Sequence, residues 1–225
     1  VHRSVALDVV TGKILWKATD DDASCSSPVA ATMGGKRHAF FFTRSGLCDI
    51  DPETGAVRFG FPWRARIAAS VNAASPLVVG DLVFVSASYQ TGAALLRVKD
   101  GDPEKVWTSD DALSCHYATS VHRAGFLYGF DGRVEARPHF RCVVVATGKV
   151  RWSRERFGAG SVTLAGERLL ILKEDGELIL APAAPEELKP LAHARILEGT
   201  VRAFPALASG RLYARGGGKL VCLDL

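Results

Sequence analysis

The stretch Ala6-Leu-Asp-Val-Val-Thr-Gly-Lys-Ile-Leu-Trp16 decides the fold, because its pattern returns along the chain. A second copy runs Asp49-Ile-Asp-Pro-Glu-Thr-Gly-Ala-Val-Arg-Phe59, and a third runs Cys142-Val-Val-Val-Ala-Thr-Gly-Lys-Val-Arg-Trp152. A fourth, Arg97–Trp107, keeps the spacing without the Thr-Gly pair. The closing aromatic residues at 16, 59, 107 and 152 recur about every 45 residues, a period that suits a repeated unit of four short strands.

The Thr-Gly pair predicts a tight turn between two antiparallel strands. Asp8 and Asp51 each stand three residues before such a pair, where a short carboxylate can accept hydrogen bonds from the turn's backbone N–H groups. Glycine supplies the positive φ that the turn needs. The next strand ends in a large ring that can pack on the neighbouring unit, a role that Trp63 is expected to share. The predicted anchors of the repeat are Asp8, Thr11, Gly12, Trp16, Asp51, Thr54, Gly55, Phe59, Trp107, Thr147, Gly148 and Trp152.

Two more strands precede each copy. Ser27-Pro-Val-Ala-Ala31 and Ser75-Pro-Leu-Val-Val79 begin an inner strand, and a glycine-bearing turn then leads into a second apolar strand. The chain is therefore predicted to be all-β, a β-propeller of four-stranded antiparallel blades. Pro182–Pro190 is predicted to be a loop, and Gly216–Gly218 a hairpin turn. The predicted blades are residues 1–16 (partial), 27–63, 75–107, 120–152, 161–191 and 204–225 (partial).

The blade count predicts one domain over residues 1–225 with about five blades of material. Val1 enters in the middle of a blade. We therefore expect the chain to be the C-terminal portion of a ring of about seven or eight blades, within the usual range of propellers.

Composition narrows the classes of function. Of 225 residues, 48% are hydrophobic, and the net charge is only +4. No block of like charge indicates a nucleic-acid or membrane-binding arm, and no apolar run approaches the roughly 18 residues of a transmembrane helix. The five cysteines are odd in number and widely spaced without a C-x-x-C pair, which argues against a disulfide framework and a structural zinc site.

The residues Ala6-Leu-Asp8, Thr11-Gly-Lys13 and Trp16, with their later copies, resemble the pyrroloquinoline-quinone (PQQ) type of propeller repeat. The resemblance extends over essentially the whole chain. Sub-families that share this repeat include quinone-dependent alcohol and glucose dehydrogenases, the periplasmic lipoprotein scaffold of outer-membrane barrel assembly, and exported bacterial repeat proteins. The resemblance therefore implies a periplasmic or otherwise exported location but does not choose a function, because one fold hosts many functions.

The resemblance to the dehydrogenases implies an adjacent cysteine pair against the quinone and a Glu, Asn and Asp that bind calcium. No two cysteines are adjacent here, and the candidate oxygen ligands are scattered over different blades. His116 and His122 would stand roughly 20 Å apart on an extended strand, too far to share a metal. His38, His139 and His193 lack a partner at ligand spacing and are expected to have hydrogen-bonded structural roles. No catalytic residue and no metal ligand is predicted.

The leading hypothesis is therefore a non-catalytic scaffold, without a cofactor, that binds a protein partner or a small ligand. The alternative is a PQQ-dependent alcohol or sugar dehydrogenase whose quinone and calcium site lies partly outside this chain. A third reading is a structural domain of a larger surface protein. Partner capture without turnover would favour the first, and calcium-dependent quinone uptake the second.

The connections after the closing aromatic residues alternate in charge. Acidic residues follow Trp16 and Trp107, and basic residues follow Trp63 and Trp152. Propeller topology puts these connections on one face, where they predict either ion pairs between blades, worth about 0–1 kcal/mol each, or a charged rim that selects a partner. The rim comprises Asp21, Asp22, Arg64, Arg66, Asp110, Asp111, Arg154 and Arg156.

The same face should carry the ends of the innermost strands. A central funnel lined by polar side chains is the default binding site of such a fold. The predicted funnel residues are Ser26, Asn72, His116, Tyr117 and Arg202.

Overall fold

The structure is a computed structural model that describes residues 4–22, 24–65, 67, 72–99 and 101–225. Over these residues, regular structure is β apart from one 3-10 turn, Val134–Ala136. Nowhere in the described chain is a helix long and apolar enough to cross a membrane. The chain divides into two compact units, residues 1–117 (unit 1) and 118–225 (unit 2).

Unit 1 contains one two-stranded and two four-stranded antiparallel sheets, and in each the strands follow one another in chain order. Sheet I is β1 (Val5–Leu7) and β2 (Ile14–Lys17). Sheet II is β3 (Val29–Met33), β4 (Lys36–Phe42), β5 (Gly46–Ile50) and β6 (Val57–Pro62). Sheet III is β7 (Leu77–Val79), β8 (Leu82–Ala87), β9 (Gly92–Arg97) and β10 (Glu104–Ser109).

Unit 2 continues the pattern with two four-stranded sheets and one three-stranded sheet. Sheet IV is β11 (Val121–Arg123), β12 (Phe126–Asp131), β13 (His139–Val144) and β14 (Val150–Arg154). Sheet V is β15 (Gly160–Ala165), β16 (Arg168–Lys173), β17 (Glu177–Pro182) and β18 (Ala192–Arg195). Sheet VI is β19 (Ala206–Ala208), β20 (Arg211–Gly216) and β21 (Lys219–Asp224).

The all-β, four-stranded antiparallel prediction is confirmed. Residues 183–191 form a loop, and Gly217 and Gly218 close the hairpin of β20 and β21, both as predicted. Strands β10 and β14 continue two residues beyond Trp107 and Trp152. The closing aromatic residue therefore lies inside the strand, whereas the sequence predicted it at the end of the strand. The division of the ring into blades of a single domain stays a prediction.

The Thr-Gly turns form as the sequence predicts. Asp8 Oδ1 accepts hydrogen bonds from two backbone N–H groups of the turn, at 3.1 and 2.7 Å, and from the Thr11 hydroxyl at 2.7 Å. Led by the Thr11 hydroxyl bond, these contacts lower the pKa of the Asp8 carboxyl, because they stabilise its charged form. Asp51 repeats the arrangement. The glycine φ angles are +69° at Gly12, +76° at Gly55 and +69° at Gly148.

The third copy shows which part of the turn is essential. Val144 stands where the other copies have aspartate, yet Gly148 N still donates to Val144 O at 2.9 Å, and Val144 N to Lys149 O at 2.9 Å. The same backbone pair closes the Asp8 and Asp51 turns. The glycine and the backbone hydrogen bonds therefore define the turn, and the aspartate adds a local cap.

Two of the tryptophans that close a repeat, Trp16 and Trp152, contact the neighbouring sheet of their unit. Trp16 Nε1 donates to Pro52 O at 2.9 Å. A Cβ added at Gly55 would stand only 2.7 Å from the Trp16 ring. Trp152 Nε1 makes the equivalent bond to Ala184 O at 3.1 Å in unit 2. Trp63 Nε1 also donates to the next sheet, to Gly92 O at 3.2 Å. Gly92 is the first residue of the third strand of that sheet.

The core lies between successive sheets within each unit. Strand β16 is buried on both faces, because Leu169 and Ile171 pack with sheet IV while Leu170 and Leu172 pack with sheet VI. Strand residues buried on both sides are expected of a blade that is enclosed by its neighbours. In unit 1 a cluster around Phe40, with members on both sheets, joins sheets II and III in the same way.

In each four-stranded sheet, three features lie at one edge: the start of the first strand, the turn between the second and third strands, and the end of the fourth. This follows from antiparallel pairing in chain order. We call it the connection edge. In unit 1 it comprises the turns at 43–45 and 88–91 and the described residues of the connections at 18–28, 63–76 and 110–117. In unit 2 it comprises the turns at 132–138, 174–176 and 217–218 and the connections at 118–120, 155–159 and 196–205. The Thr-Gly turns occupy the opposite edge.

Candidate partner-binding site

An aromatic cluster stands at the connection edge of unit 1. His116 stacks on Tyr117 with ring centroids 3.9 Å apart, and Tyr89 meets the edge of His116 at 5.3 Å. His116 is 6% exposed, whereas Tyr117 exposes 48% of its surface. The cluster therefore presents one aromatic face to solvent on a buried support. His116 and Tyr117, which are neighbours in the chain, are two of the predicted funnel residues.

The backbone beneath this cluster is held rigidly. Tyr89 and Gln90 both adopt φ of +60° in the turn between β8 and β9, a left-handed conformation that costs non-glycine residues of order 1 kcal/mol and clusters at functional sites. Ser86 Oγ accepts from Cys115 N at 2.8 Å and donates to Leu113 O. The connection that carries Tyr117 is thereby fixed to β8.

Asn72 joins three parts of this edge in unit 1. Its side-chain nitrogen donates to Thr43 O and Trp63 O, both at 2.8 Å. Its backbone oxygen accepts from Cys25 N at 3.2 Å. The side chain is 1% exposed, so in this structure Asn72 positions neighbouring loops and does not itself line an open surface.

A cavity of about 300 Å³ lies between sheet I and sheet II. It is lined by Asp21, Asp22 and Ser26, which the sequence assigned partly to the rim and partly to the funnel. Asp21 accepts hydrogen bonds from the hydroxyls of Thr43 at 2.9 Å and Ser45 at 2.8 Å. The carboxylate of Asp21 therefore holds the turn of its neighbouring sheet.

The remaining rim residues have local contacts. Arg154 donates to Leu188 O at 2.8 Å, and the backbone N of Arg156 lies 3.1 Å from His139 Nδ1. Arg64 is exposed, and Arg66 lies outside the described residues. Asp110 O accepts from Ser114 Oγ at 3.0 Å, and Asp111 N donates to Ser109 Oγ at 3.1 Å. The alternating rim stays a prediction.

Arg202, the last predicted funnel residue, stands in the connection before β19 in unit 2. Its side chain is exposed and makes an ion pair with Glu174. It lines a cavity with Arg215 and Lys219 at the hairpin of sheet VI. Neither of these two cations was singled out in the sequence, because neither belongs to the repeat.

Sequence reasoning also missed Tyr89 and the partner of His38. His38 Nδ1 lies 2.7 Å from Asp49 Oδ2, and both side chains are buried. His139 pairs with Glu155 at 2.6 Å and His193 with Glu177 at 3.2 Å, which agrees with the hydrogen-bonded roles expected of them. Across the described residues, no three His, Cys, Asp or Glu side chains group as metal ligands.

Three solved structures are similar to this chain in fold. BamB from Moraxella catarrhalis is similar with a TM-score of 0.74 and 15% identity, over 97% of this chain and 65% of that one. Quinohemoprotein alcohol dehydrogenase from Comamonas testosteroni is similar with a TM-score of 0.59 and 11% identity, over 86% of this chain and 40% of that one. The computationally designed Ika8 protein is similar with a TM-score of 0.57 and 9% identity, over 97% of this chain and 80% of that one. These likenesses show the predicted PQQ-like β-propeller fold.

This chain spans 65% of the BamB chain, less than two thirds of its length. No curated protein matches the sequence. The family model described as outer membrane protein assembly factor BamB matches residues 2–154, more than half of the chain. The chain therefore belongs to the family of the outer membrane protein assembly factor BamB.

Proposed function

We propose that this chain is a non-catalytic scaffold of an exported bacterial protein that binds a protein partner in outer membrane protein assembly. Its family description supports this role. The observation that carries the proposal is the Tyr117 ring, 48% exposed and stacked on buried His116. Tyrosines on rigid supports are frequent energetic centres of protein interfaces, because they bury much area at little entropic cost.

The location of Tyr117 fits this role. It lies at the connection edge, where loops held by a scaffold usually carry function. Ser86, Cys115 and the strained turn at Tyr89 fix its position before any partner arrives. A preorganised contact loses less entropy on binding, so more of its gross interaction energy remains as affinity.

Replacement of Tyr117 by alanine is expected to weaken partner capture at least tenfold, equivalent to about 1.4 kcal/mol. The measurement is photo-crosslinking in the source bacterium, with a benzoylphenylalanine at position 117, followed by quantification of crosslinked assembly proteins by mass spectrometry. Position 10 is the matched control, because Val10 is 98% exposed but lies on the Thr-Gly edge. Equal crosslinking from positions 117 and 10, or equal capture by wild type and Tyr117→Ala, would reject the proposal.

A PQQ-dependent dehydrogenase is the second candidate function, favoured by the similarity to the quinohemoprotein alcohol dehydrogenase over 86% of this chain. In the part of the chain that the structure describes, no three His, Cys, Asp or Glu side chains group together as metal ligands.

Titration of the full-length protein with PQQ and calcium, followed by tryptophan fluorescence and melting temperature, separates the two functions. The scaffold proposal predicts an unchanged melting temperature. Specific binding would stabilise the folded state by about 2.7 kcal/mol at a hundredfold excess over Kd, and a saturable shift of that size would favour the dehydrogenase.

A further inference from the structure

A second cavity, of about 420 Å³, opens at the connection edge of sheet VI. We call it the hairpin cavity. Its walls are the β20–β21 hairpin and the connection that precedes β19. The lining residues are Thr200, Arg202, Ala203, Arg215, Gly216, Gly217, Gly218, Lys219 and Leu220.

The charge of this cavity is one-sided. Arg202, Arg215 and Lys219 line it, and none of the lining residues is acidic. Arg202 is paired with Glu174. Within residues 118–225, all of which are described, Arg215 and Lys219 have no ion pair and both are exposed. Two uncompensated cations and one paired arginine therefore face the same space.

The walls are fixed before any ligand binds. Val201, between Thr200 and Arg202, is buried in the core of sheets V and VI and donates through its N–H to Glu174 O at 2.8 Å. A Cβ at Gly216 would stand 2.6 Å from Val201 Cγ2, and one at Gly217 would stand 2.6 Å from Glu198 O. The hairpin is thus pressed against the connection, and only glycine permits this approach.

We propose that the hairpin cavity binds carboxylate side chains of an acidic segment on a protein partner, an inference that rests on the proposed scaffold function. Arginine forms bidentate pairs with carboxylates, and the Thr200 hydroxyl adds a neutral donor. The volume lies in the range of ligand sites of roughly 300–1,000 Å³, which is larger than one small anion needs. The modest net charge of +4 argues against nucleic acid as the occupant.

The test uses the full chain and a fluorescein-labelled hexaglutamate peptide, measured by fluorescence anisotropy at physiological ionic strength, where the Debye length is about 8 Å. We expect saturable single-site binding that the double variant Arg215→Ala/Lys219→Ala weakens at least tenfold. The matched control, Arg211→Ala/Lys189→Ala, removes the same charge from unit 2 at exposed residues whose partners are Asp224 and Glu187. This control should bind within about twofold of wild type, since distant exposed charges are screened by salt.

Three outcomes would overturn the inference. They are equal losses in both double variants, absence of saturable peptide binding, and binding of tripolyphosphate in place of the peptide, which would assign the cavity to phosphate ligands. Circular dichroism of each variant establishes that it is folded. Crosslinking at Tyr117 in unit 1 is an independent readout. Retained crosslinking with no peptide binding would reject the cavity proposal and leave the scaffold function standing.

Discussion

Replacement of His38 by leucine is expected to lower the free energy of unfolding of unit 1 by about 3–5 kcal/mol, because it strands a buried carboxylate. Asp49 is 0% exposed, and its Oδ2 lies 2.7 Å from His38 Nδ1. The nearest guanidinium, that of Arg58, is 3.9 Å from Oδ2 and makes its short contact, 2.6 Å, with Asp51. Loss of the imidazole therefore leaves the Asp49 carboxylate with only the long contact to Arg58, at 3.9 Å, and a backbone hydrogen bond from Ala39.

The pKa of Asp49 reflects the same balance between burial and stabilising contacts. Burial raises the pKa of this carboxyl, and the contacts with His38 and Arg58 oppose the rise. Its other oxygen, Oδ1, is buried without a hydrogen-bond partner in the described chain. A buried charge that is half satisfied depends strongly on its short-range partners. The closest side-chain partner of Asp49 is His38, which is itself stacked on Phe40 at 5.6 Å.

A double variant distinguishes pairing from packing. His38→Leu/Asp49→Val should regain most of the lost stability, because apolar replacement of both members of a buried pair is often close to neutral. His193→Leu is the control. His193 pairs with Glu177 at 3.2 Å but is 68% exposed, and its loss should cost no more than about 0.5 kcal/mol.

Urea unfolding followed by tryptophan fluorescence measures the His38 effect, since Trp16, Trp63 and Trp107 all lie in unit 1. The pair has no special role if His38→Leu unfolds at the same urea concentration as His193→Leu. If the double variant is as unstable as the single one, the loss comes from packing around His38 and not from the uncompensated charge.

The turns were predictable because their causes are local. Asp51 and Gly55 are four residues apart, and the turn needs only the glycine conformation and nearby backbone groups. Even Val144, which breaks the aspartate pattern, leaves the turn intact. The period of the closing tryptophans likewise reports a unit that must bury its faces against copies of itself.

The sites were less predictable because their residues meet across strands. His38 and Asp49 are eleven positions apart on neighbouring strands, a spacing that depends on the register of β4 and β5. Arg202 and Lys219 line one cavity only because a glycine hairpin presses against the preceding connection. Tyr89 meets His116 because the turn at 88–91 places two non-glycine residues, Tyr89 and Gln90, at positive φ, which their residue types do not predict. Register and close backbone approach are set by the packed sheets, and no short motif encodes them.

One repeated feature was readable in the sequence and was missed. Gly46 and Gly92 begin the third strand of a four-stranded sheet, and Gly176 is the residue directly before such a strand. In each, a Cβ would meet a backbone oxygen at 2.0 to 2.2 Å. The signal is a glycine where the turn between the second and third strands meets the third strand. It was missed because the residue directly before each glycine is small and polar, as in an ordinary loop.

Replacement of Gly176 by alanine is therefore expected to destabilise unit 2 by at least about 3 kcal/mol, from steric overlap and left-handed backbone strain together. The φ of Gly176 is +86°, and a Cβ would stand 2.0 Å from Leu197 O. Leu197 cannot move freely, because it is buried in the core of sheets V and VI, and Ile196 N donates to Gly176 O at 2.9 Å. The clash would separate β17 from the connection that carries Arg202.

The control for Gly176 is Gly166, in the turn between β15 and β16. Its φ is +60°, and a Cβ there would meet nothing within 4 Å, so Gly166→Ala should cost only about 1 kcal/mol for the backbone conformation. Calorimetry of both variants, with hydrogen exchange of the β17 amides, measures the difference. Equal melting temperatures for Gly176→Ala and Gly166→Ala would show that the third strand tolerates a side chain at its start. A larger loss for Gly176→Ala, with faster exchange in β17, would show that the approach of Leu197 O holds the hairpins of unit 2 in place.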